Sequence, residues 1–367
     1  MKGVVFEKKD RISVKTLPEP KAGRGELVVR IASSGICETD VWVYRSGAFA
    51  RPGMVLGHMA GGEIVDVGSD VDGWRSGERS AIDPRVYCGE CLACRGGHAT
   101  MCERRMAEAA GTWIGVDALR DPRSGELYHG AMAEYCVVPA YCCYRVPDSI
   151  RDEQLAAIEG VAFSVRCIRG SGLRLGDDVV MFGAADYCIE WIQWAKNLGA
   201  RRLAVVEPVA VRRQMAERFG ADLVVYPSRG DVVAELRKLM PFGADLVAMY
   251  PTYPQAISHA FEIAKSRSTL QVLICYEESN THQAVPLIPV MKELTIRYPG
   301  LFEAEPWRGG RARGDYALAI ELVAEGRIDV ESYVTRIIDW EEVDRVVELG
   351  FDRLPELEVK VRLRMRH

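Results

Sequence analysis

The sequence predicts an α/β protein of two domains, a β-rich one followed by a doubly wound parallel sheet. Three observations predict it. At 367 residues the chain is longer than a single core usually grows. Its first 150 residues hold short alternating apolar runs, such as Glu26–Ile31 and Gly61–Gly68, cut by Pro and Gly turns. Beyond about residue 150 apolar strands alternate with helical stretches, which implies a parallel sheet covered on both faces.

Taken in order, residues 1–80 read as strands of a compact β-rich domain. The loop 84–105 interrupts it with Cys88-x2-Cys91-x2-Cys94-x7-Cys102, the spacing of a closed four-thiolate zinc site. Gly89, Gly96 and Gly97 allow the tight turns that gather four thiolates, and a loop with so little core of its own is folded by its metal. Residues 107–129 show no periodicity, and Gly130–Val138 reads as another strand. Glu153–Gly170 reads as a helix and Asp178–Gly183 as a short strand stopping at a glycine. A helix to Leu198 and a strand Leu203–Val206 follow, with Glu207 at its end. Next come helix 209–219, strand Ala221–Tyr226, helix 231–240, strand Ala244–Met249, helix 254–265 and strand Thr269–Cys275. Strand, glycine turn, helix and a strand ending in an acid is the layout of a dinucleotide-binding half. After Arg297 come a loop, a helix Tyr316–Gly326 and a strand Glu356–Leu363 that returns to the first domain. The domain bounds are therefore 1–150, 151–297 and 298–367, the last completing the first.

Hydrophobic residues make up 48% and charged residues 27%, as in an ordinary globular protein. The net charge of −5 argues against a nucleic-acid surface, and the one basic run, Arg308 to Arg313, is a short solvated loop. No apolar run is long enough to span a bilayer and the N-terminus lacks a signal-peptide core, so the expectation is a cytoplasmic protein without membrane contact. There, a tight four-cysteine cluster is metal rather than disulfide. Of the eleven cysteines, Cys136, Cys142, Cys143, Cys167, Cys188 and Cys275 read as small buried apolar residues.

A second metal signal precedes the cysteine loop. Gly35-Ile36-Cys37-Glu38-Thr39-Asp40 is answered by Gly57-His58-Met59, a thiolate and an imidazole on two glycine-flanked turns. These are ligands of the kind that hold Zn²⁺ with a position open for substrate.

The order of features resembles the zinc-containing medium-chain alcohol/polyol dehydrogenases over nearly the whole chain. The matches are Gly35 to Asp40, Gly57-His58, the four-cysteine loop, Gly130 to Tyr135, Ile158-Glu159, Lys292 to Ile296 and Gly326 to Asp329. The resemblance implies a GroES-like catalytic domain plus a Rossmann domain, one structural and one catalytic zinc, and NAD. It implies that Cys37 and His58 hold the catalytic zinc, with Glu159 at or next to the metal. Thr39 matches the hydroxyl that relays the alcohol proton. The metal would lower the pKa of a bound alcohol so that hydride can pass to a nicotinamide. A small-molecule substrate and a homo-oligomer, dimer or tetramer, are implied as well.

The departures from this pattern cluster on the cofactor. The glycine fingerprint reads Gly183-Ala184-Ala185-Asp186-Tyr187-Cys188, with side chains where the second and third glycines give room to a pyrophosphate and to helix packing. Asp186 puts a carboxylate at the helix start, where a phosphate needs positive potential. In many relatives the residue after the zinc cysteine faces the same phosphates, as glycine or a basic residue, and here it is the acid Glu38. Tyr250-Pro251 stands where relatives have a small residue over the nicotinamide, and Lys265 to Ser268 replaces a Pro-Gly-Gly turn. Glu207 is still placed to take a ribose diol, favouring NAD over NADP. Near the metal, Met59 replaces the glutamate that usually follows the histidine, and Trp42 replaces the histidine that ends the proton relay. Trp42, Tyr44 and Trp113 are candidates to line the substrate pocket.

Three readings follow. The first is an NAD-dependent zinc dehydrogenase of a small alcohol, polyol or sugar-like substrate. The second is a zinc enzyme that keeps the Lewis acid without hydride transfer and catalyses an elimination, isomerisation or cyclisation. The third is a silent binding subunit, against which the retention of Cys37, Thr39, His58 and Glu159 speaks. We take the first as the expectation, on Glu207 and the resemblance.

Overall fold

Lys2–Lys8 (β1) and Arg11–Thr16 (β2) pair as an antiparallel hairpin turned at Asp10, which adopts a positive φ of 58°. The computed structural model describes residues 1–96, 98, 101–107, 114–115, 129–185, 187–273, 287–299, 314–349, 351 and 358–365. Trp113, Asp186, Cys275 and the run Arg308 to Arg313 lie outside them.

The chain divides into two units. The first is Met1–Ala162 with Phe302–Glu356 and Lys360–His367, and the second is Phe163–Leu301 with Leu357–Val359. In the first, the alternating run from Glu26 extends to Ile36 (β3), and its last residues lead into helix α1, Glu38–Ser46. Met59–Val67 (β4) and Arg79–Ile82 (β5) follow, then two short helices in the cysteine loop, Leu92–Arg95 (α2) and Glu103–Ala107 (α3). Tyr135–Pro139 (β6) and Cys143–Arg145 (β7) close this stretch. A 3-10 turn at Asp152–Ala157 leads into α4, Ile158–Ser171.

The strand read at Gly130–Val138 is shorter than expected for a physical reason. The amides of Gly130, Ala131 and Met132 donate to the carbonyls of Val55, Gly57 and Leu56, an irregular pairing that holds this segment outside the ladder until Tyr135.

The second unit is a run of strand–helix repeats: Asp178–Phe182 (β8), Cys188–Asn197 (α5), Arg202–Val206 (β9), Ala210–Arg218 (α6), Leu223–Val225 (β10), Val232–Leu239 (α7), Ala244–Met249 (β11), Ala256–Ile263 (α8), Ala264–Val272 (β12), Leu287–Met291 (α9) and Thr295–Arg297 (β13). Every pairing among these strands is parallel, in the order β10-β9-β8-β11-β12-β13. Val179 to Phe182 and Leu203 to Val206 are wholly buried, as strands covered on both faces must be. At the strand beginnings Asp178 takes Arg201 and Arg202, and Lys265 bridges to Asp245 at 2.7 Å. Burial opposes the Asp178 charge, and the two guanidinium hydrogen bonds outweigh it and lower its pKa. That end of the sheet is thus sealed by ion pairs; the ligand-binding end of such a sheet is the other.

The chain then returns to the first unit with Asp315–Ala324 (α10), Val334–Asp339 (β14), Arg345–Glu348 (α11) and Lys360–Arg364 (β15). The sheet order there is β14-β15-β3-β4-β5-β7, with β6 on β3. Its core gathers Val29, Ile31, Leu56, Ile64, Met132 and Leu363. Among the described residues no helix is long and apolar enough to cross a membrane.

Candidate zinc and dinucleotide sites

Cys37 is the N-cap of α1, where the positive end of the helix favours a thiolate. Asp40 completes a capping box, accepting from the Cys37 amide at 2.9 Å through Oδ2. Its other oxygen lies 3.2 Å from Nδ1 of His58. Asp40 is fully buried and His58 nearly so. His58 follows Gly57, whose φ is 97° and where a Cβ would lie 2.7 Å from the Met132 amide nitrogen, so only glycine lets the turn pass there.

Burial works against a charge on His58. The Asp40 carboxylate and the Cys37 thiolate outweigh it and hold the ring's pKa well above the ordinary histidine value. The anionic surroundings that favour a proton on the ring also favour a cation bound to it. With Nδ1 committed to Asp40, Nε2 is the nitrogen for a metal, and carboxylate, imidazole and thiol form a chain of the kind that orients metal ligands. In the sequence Asp40 stands beside the Cys37 motif with no signal of this role. Asp40→Asn should weaken zinc at this site by about 10–100-fold, the usual cost of losing such a partner. Metal analysis across a chelator series measures it, and unchanged retention would count against the chain.

The other expected residues fall less simply. Oγ1 of Thr39 lies 3.6 Å from Sγ of Cys37, within reach of a sulfur contact. Glu159 is 5% exposed at the start of α4, but Cys37, His58 and Glu159 do not form a group with ligand atoms all within 4.8 Å of one another; among the described residues only the four clustered cysteines do. Trp42 is half-buried with its ring 5.6 Å from that of Phe49, which is 63% exposed. Tyr44 donates to the Asp10 carbonyl and packs edge-on against Phe351.

Met59 is fully buried, and Nζ of Lys360 from β15 donates to its sulfur at 3.1 Å. Beside His58 the chain therefore presents a thioether and an ammonium. Sequence reasoning missed Lys360 because strand alternation assigns Val359, Val361 and Leu363 to the core and the intervening cations to solvent. Both faces of β15 are in fact buried, Lys360 and Arg362 to 4% exposure each.

In the loop, the ligand atoms of Cys88, Cys91, Cys94 and Cys102 all lie within 4.8 Å of one another. Amides of Glu90 and Cys91 point at Sγ of Cys88, that of Cys94 at Sγ of Cys91, and that of Cys88 at Sγ of Cys102, at 3.4–3.5 Å. The Cys94 amide pulls the Cys91 thiol down to about 6, while burial pushes Cys94 up to about 12. Close thiols crowd one another's charge in this way until a cation neutralises them. The donor set fits a tetrahedral zinc. Cys136, Cys142, Cys143, Cys167 and Cys188 are buried thiols elsewhere.

In the second unit Gly183 has a φ of 99°, and a Cβ there would lie 2.4 Å from the Tyr250 carbonyl, so the first fingerprint position needs its glycine. Ala184, Ala185 and Cys188 are buried at 0–1% exposure, so the added side chains pack inward. Glu207 stands at the end of β9 as expected. Its carboxylate turns back on the loop, accepting from the Ala184 amide at 2.7 Å and the Val209 amide at 2.8 Å. Burial raises its pKa against the pull of Arg212 and those amides. Each oxygen keeps a second lone pair, so a ribose hydroxyl has an acceptor only where the buried carboxylate can be reached.

Comparison with known proteins adds the family. The pattern of the alcohol dehydrogenase GroES-like domain matches residues 23–148, and that of the zinc-binding dehydrogenases matches residues 190–325. The chain is 28% identical to "Probable D-xylulose reductase A" of Aspergillus clavatus, over 87% of this chain and 85% of that one. It is 29% identical to the L-threonine 3-dehydrogenase of Pyrococcus horikoshii over 76% of each. A Sinorhizobium meliloti 1021 protein solved with NADP bound superposes with a TM-score of 0.84 at 26% identity, over 99% of this chain and 98% of that one.

Proposed function

Because the chain belongs to the zinc-containing medium-chain dehydrogenase/reductase superfamily, a family of oxidoreductases, we propose that it transfers hydride between NAD and a small alcohol, polyol or sugar-like substrate. The observation that carries the reading is the buried Cys37–His58–Asp40 arrangement, a thiolate and an oriented imidazole on two rigid turns. Zinc bound there supplies a Lewis acid that makes an alcohol hydroxyl acidic. Asp40 holds the His58 ring in one tautomer and one plane. Cys37 caps α1, where the positive end of a helix favours the thiolate form. Thr39, beside Cys37, is the hydroxyl for the substrate's proton, and Glu159 is a further carboxylate for the metal, direct or through water. Glu207 takes the adenosine ribose, which favours NAD, although the Sinorhizobium relative carries NADP. The relatives named for xylulose and threonine support a substrate with a secondary alcohol beside other polar groups.

The reading extends to a cytoplasmic homo-oligomer. Support for assembly comes from β13, an edge strand with Ile296, Tyr298, Val290 and Met291 exposed on or beside it. The test is a screen of small polyols and hydroxy acids for nicotinamide reduction by zinc-loaded protein. Reduction that is lost on chelation and regained with Zn²⁺ is the expected result. A second reading, a zinc enzyme without hydride transfer, is favoured by one observation, the inward packing of Ala185 and Cys188. Turnover of a polyol with no change in nicotinamide would select it.

A further inference from the structure

An open parallel sheet takes its ligand outside the C-terminal ends of the two strands where the strand order reverses. In the second unit those strands are β8 and β11, since β9 and β10 extend the sheet from β8 and β12 and β13 extend it from β11. The chain leaves β8 at Gly183 and leaves β11 at Tyr250. Three aromatic rings meet there. The ring of Tyr187 lies 4.5 Å from that of Phe163 at 69°, and 5.7 Å from that of Tyr250 at 83°, both edge-to-face. None of the three is more than 6% exposed. The two strand exits also touch, the Tyr250 amide donating to the Phe182 carbonyl at 2.7 Å.

We propose that Tyr187 is an internal plug of the dinucleotide crevice, seated between Phe163 and Tyr250, and that this ring must leave before the cofactor's nicotinamide end can enter. The proposal rests on the dinucleotide reading above. In the seated state the crevice is filled by the chain's own rings, so apparent affinity is the intrinsic affinity reduced by the fraction of molecules with the ring out. Edge-to-face contacts and burial favour the seated state. Tyr187 therefore sets how tightly and how fast the cofactor binds.

The experiment is a fluorescence titration with NADH of the zinc-loaded native protein, Tyr187→Val and Tyr187→Phe, with stopped-flow association on the native chain. The expected result is about tenfold tighter binding by Tyr187→Val, near-native binding by Tyr187→Phe, and a native association rate that saturates with NADH, as ring release becomes limiting. Should Tyr187→Val fold poorly, Tyr250→Leu releases the same ring, and the native kinetics need no variant. Unchanged or weaker binding by Tyr187→Val, or a native rate linear in NADH, overturns the plug while leaving the dinucleotide reading intact. Binding by Tyr187→Val alone upholds the plug and removes that reading for the native chain. No binding by any of them overturns both.

Discussion

Replacing Cys37 with serine should leave the chain with one zinc instead of two and lower turnover by on the order of 10³-fold. The thiolate is the soft anchor of the site, and a serine hydroxyl is a poor substitute for zinc. Without the metal, the alcohol keeps its ordinary pKa and the several kcal/mol of charge stabilisation are lost, at about 1.4 kcal/mol for each factor of ten. The fold should survive, because Cys37 contributes one buried side chain at a helix cap whose Asp40 hydrogen bond to the Cys37 amide remains. Metal analysis and circular dichroism on the same sample check both halves. Two retained zincs with full turnover would mean that the metal is not held here.

Replacing Cys91 with alanine should have the second large effect, on stability. Among its described residues the loop that carries it holds helices of four and five residues, and amides within it point at sulfur. Structural zinc contributes roughly 10 kcal/mol or more to small zinc-folded peptides, part of which this loop would forfeit. A fall in Tm of about 10 °C, with one zinc lost, is the expected result by calorimetry and metal analysis. Acidification acts on the same cluster, since protons compete with zinc for the thiolates and zinc should be released as the pH falls. An unchanged Tm would reduce the cluster to four adjacent thiols.

Much of this was legible in the sequence, and the exceptions have physical causes. The strands β8, β9 and β11 could be read because each is a short apolar run between helices, and their burial on both faces demands that composition. The helix read from Glu153 begins instead as a 3-10 turn, where the Gln154 side chain accepts from the Arg151 amide and the α-helix starts only at Ile158. The cysteine cluster was legible because its spacing is short and local. The partnership of Asp40 with His58 was not, since it joins two motifs eighteen residues apart and depends on a cap geometry that no spacing displays. Lys360 was hidden by strand alternation, and Tyr187 by its place inside a fingerprint read only for its missing glycines. Glu207 was found at the right strand end, but the direction of its carboxylate depends on the loop amides that fold back on it.

Titration of zinc-analysed native protein with NADH decides whether this chain is a nicotinamide-dependent enzyme. Saturable binding in the micromolar range by protein carrying two zincs per chain is expected, and it would turn attention to the alcohol. Two zincs with no NADH binding at any accessible concentration would contradict it and leave a metal enzyme that works without hydride.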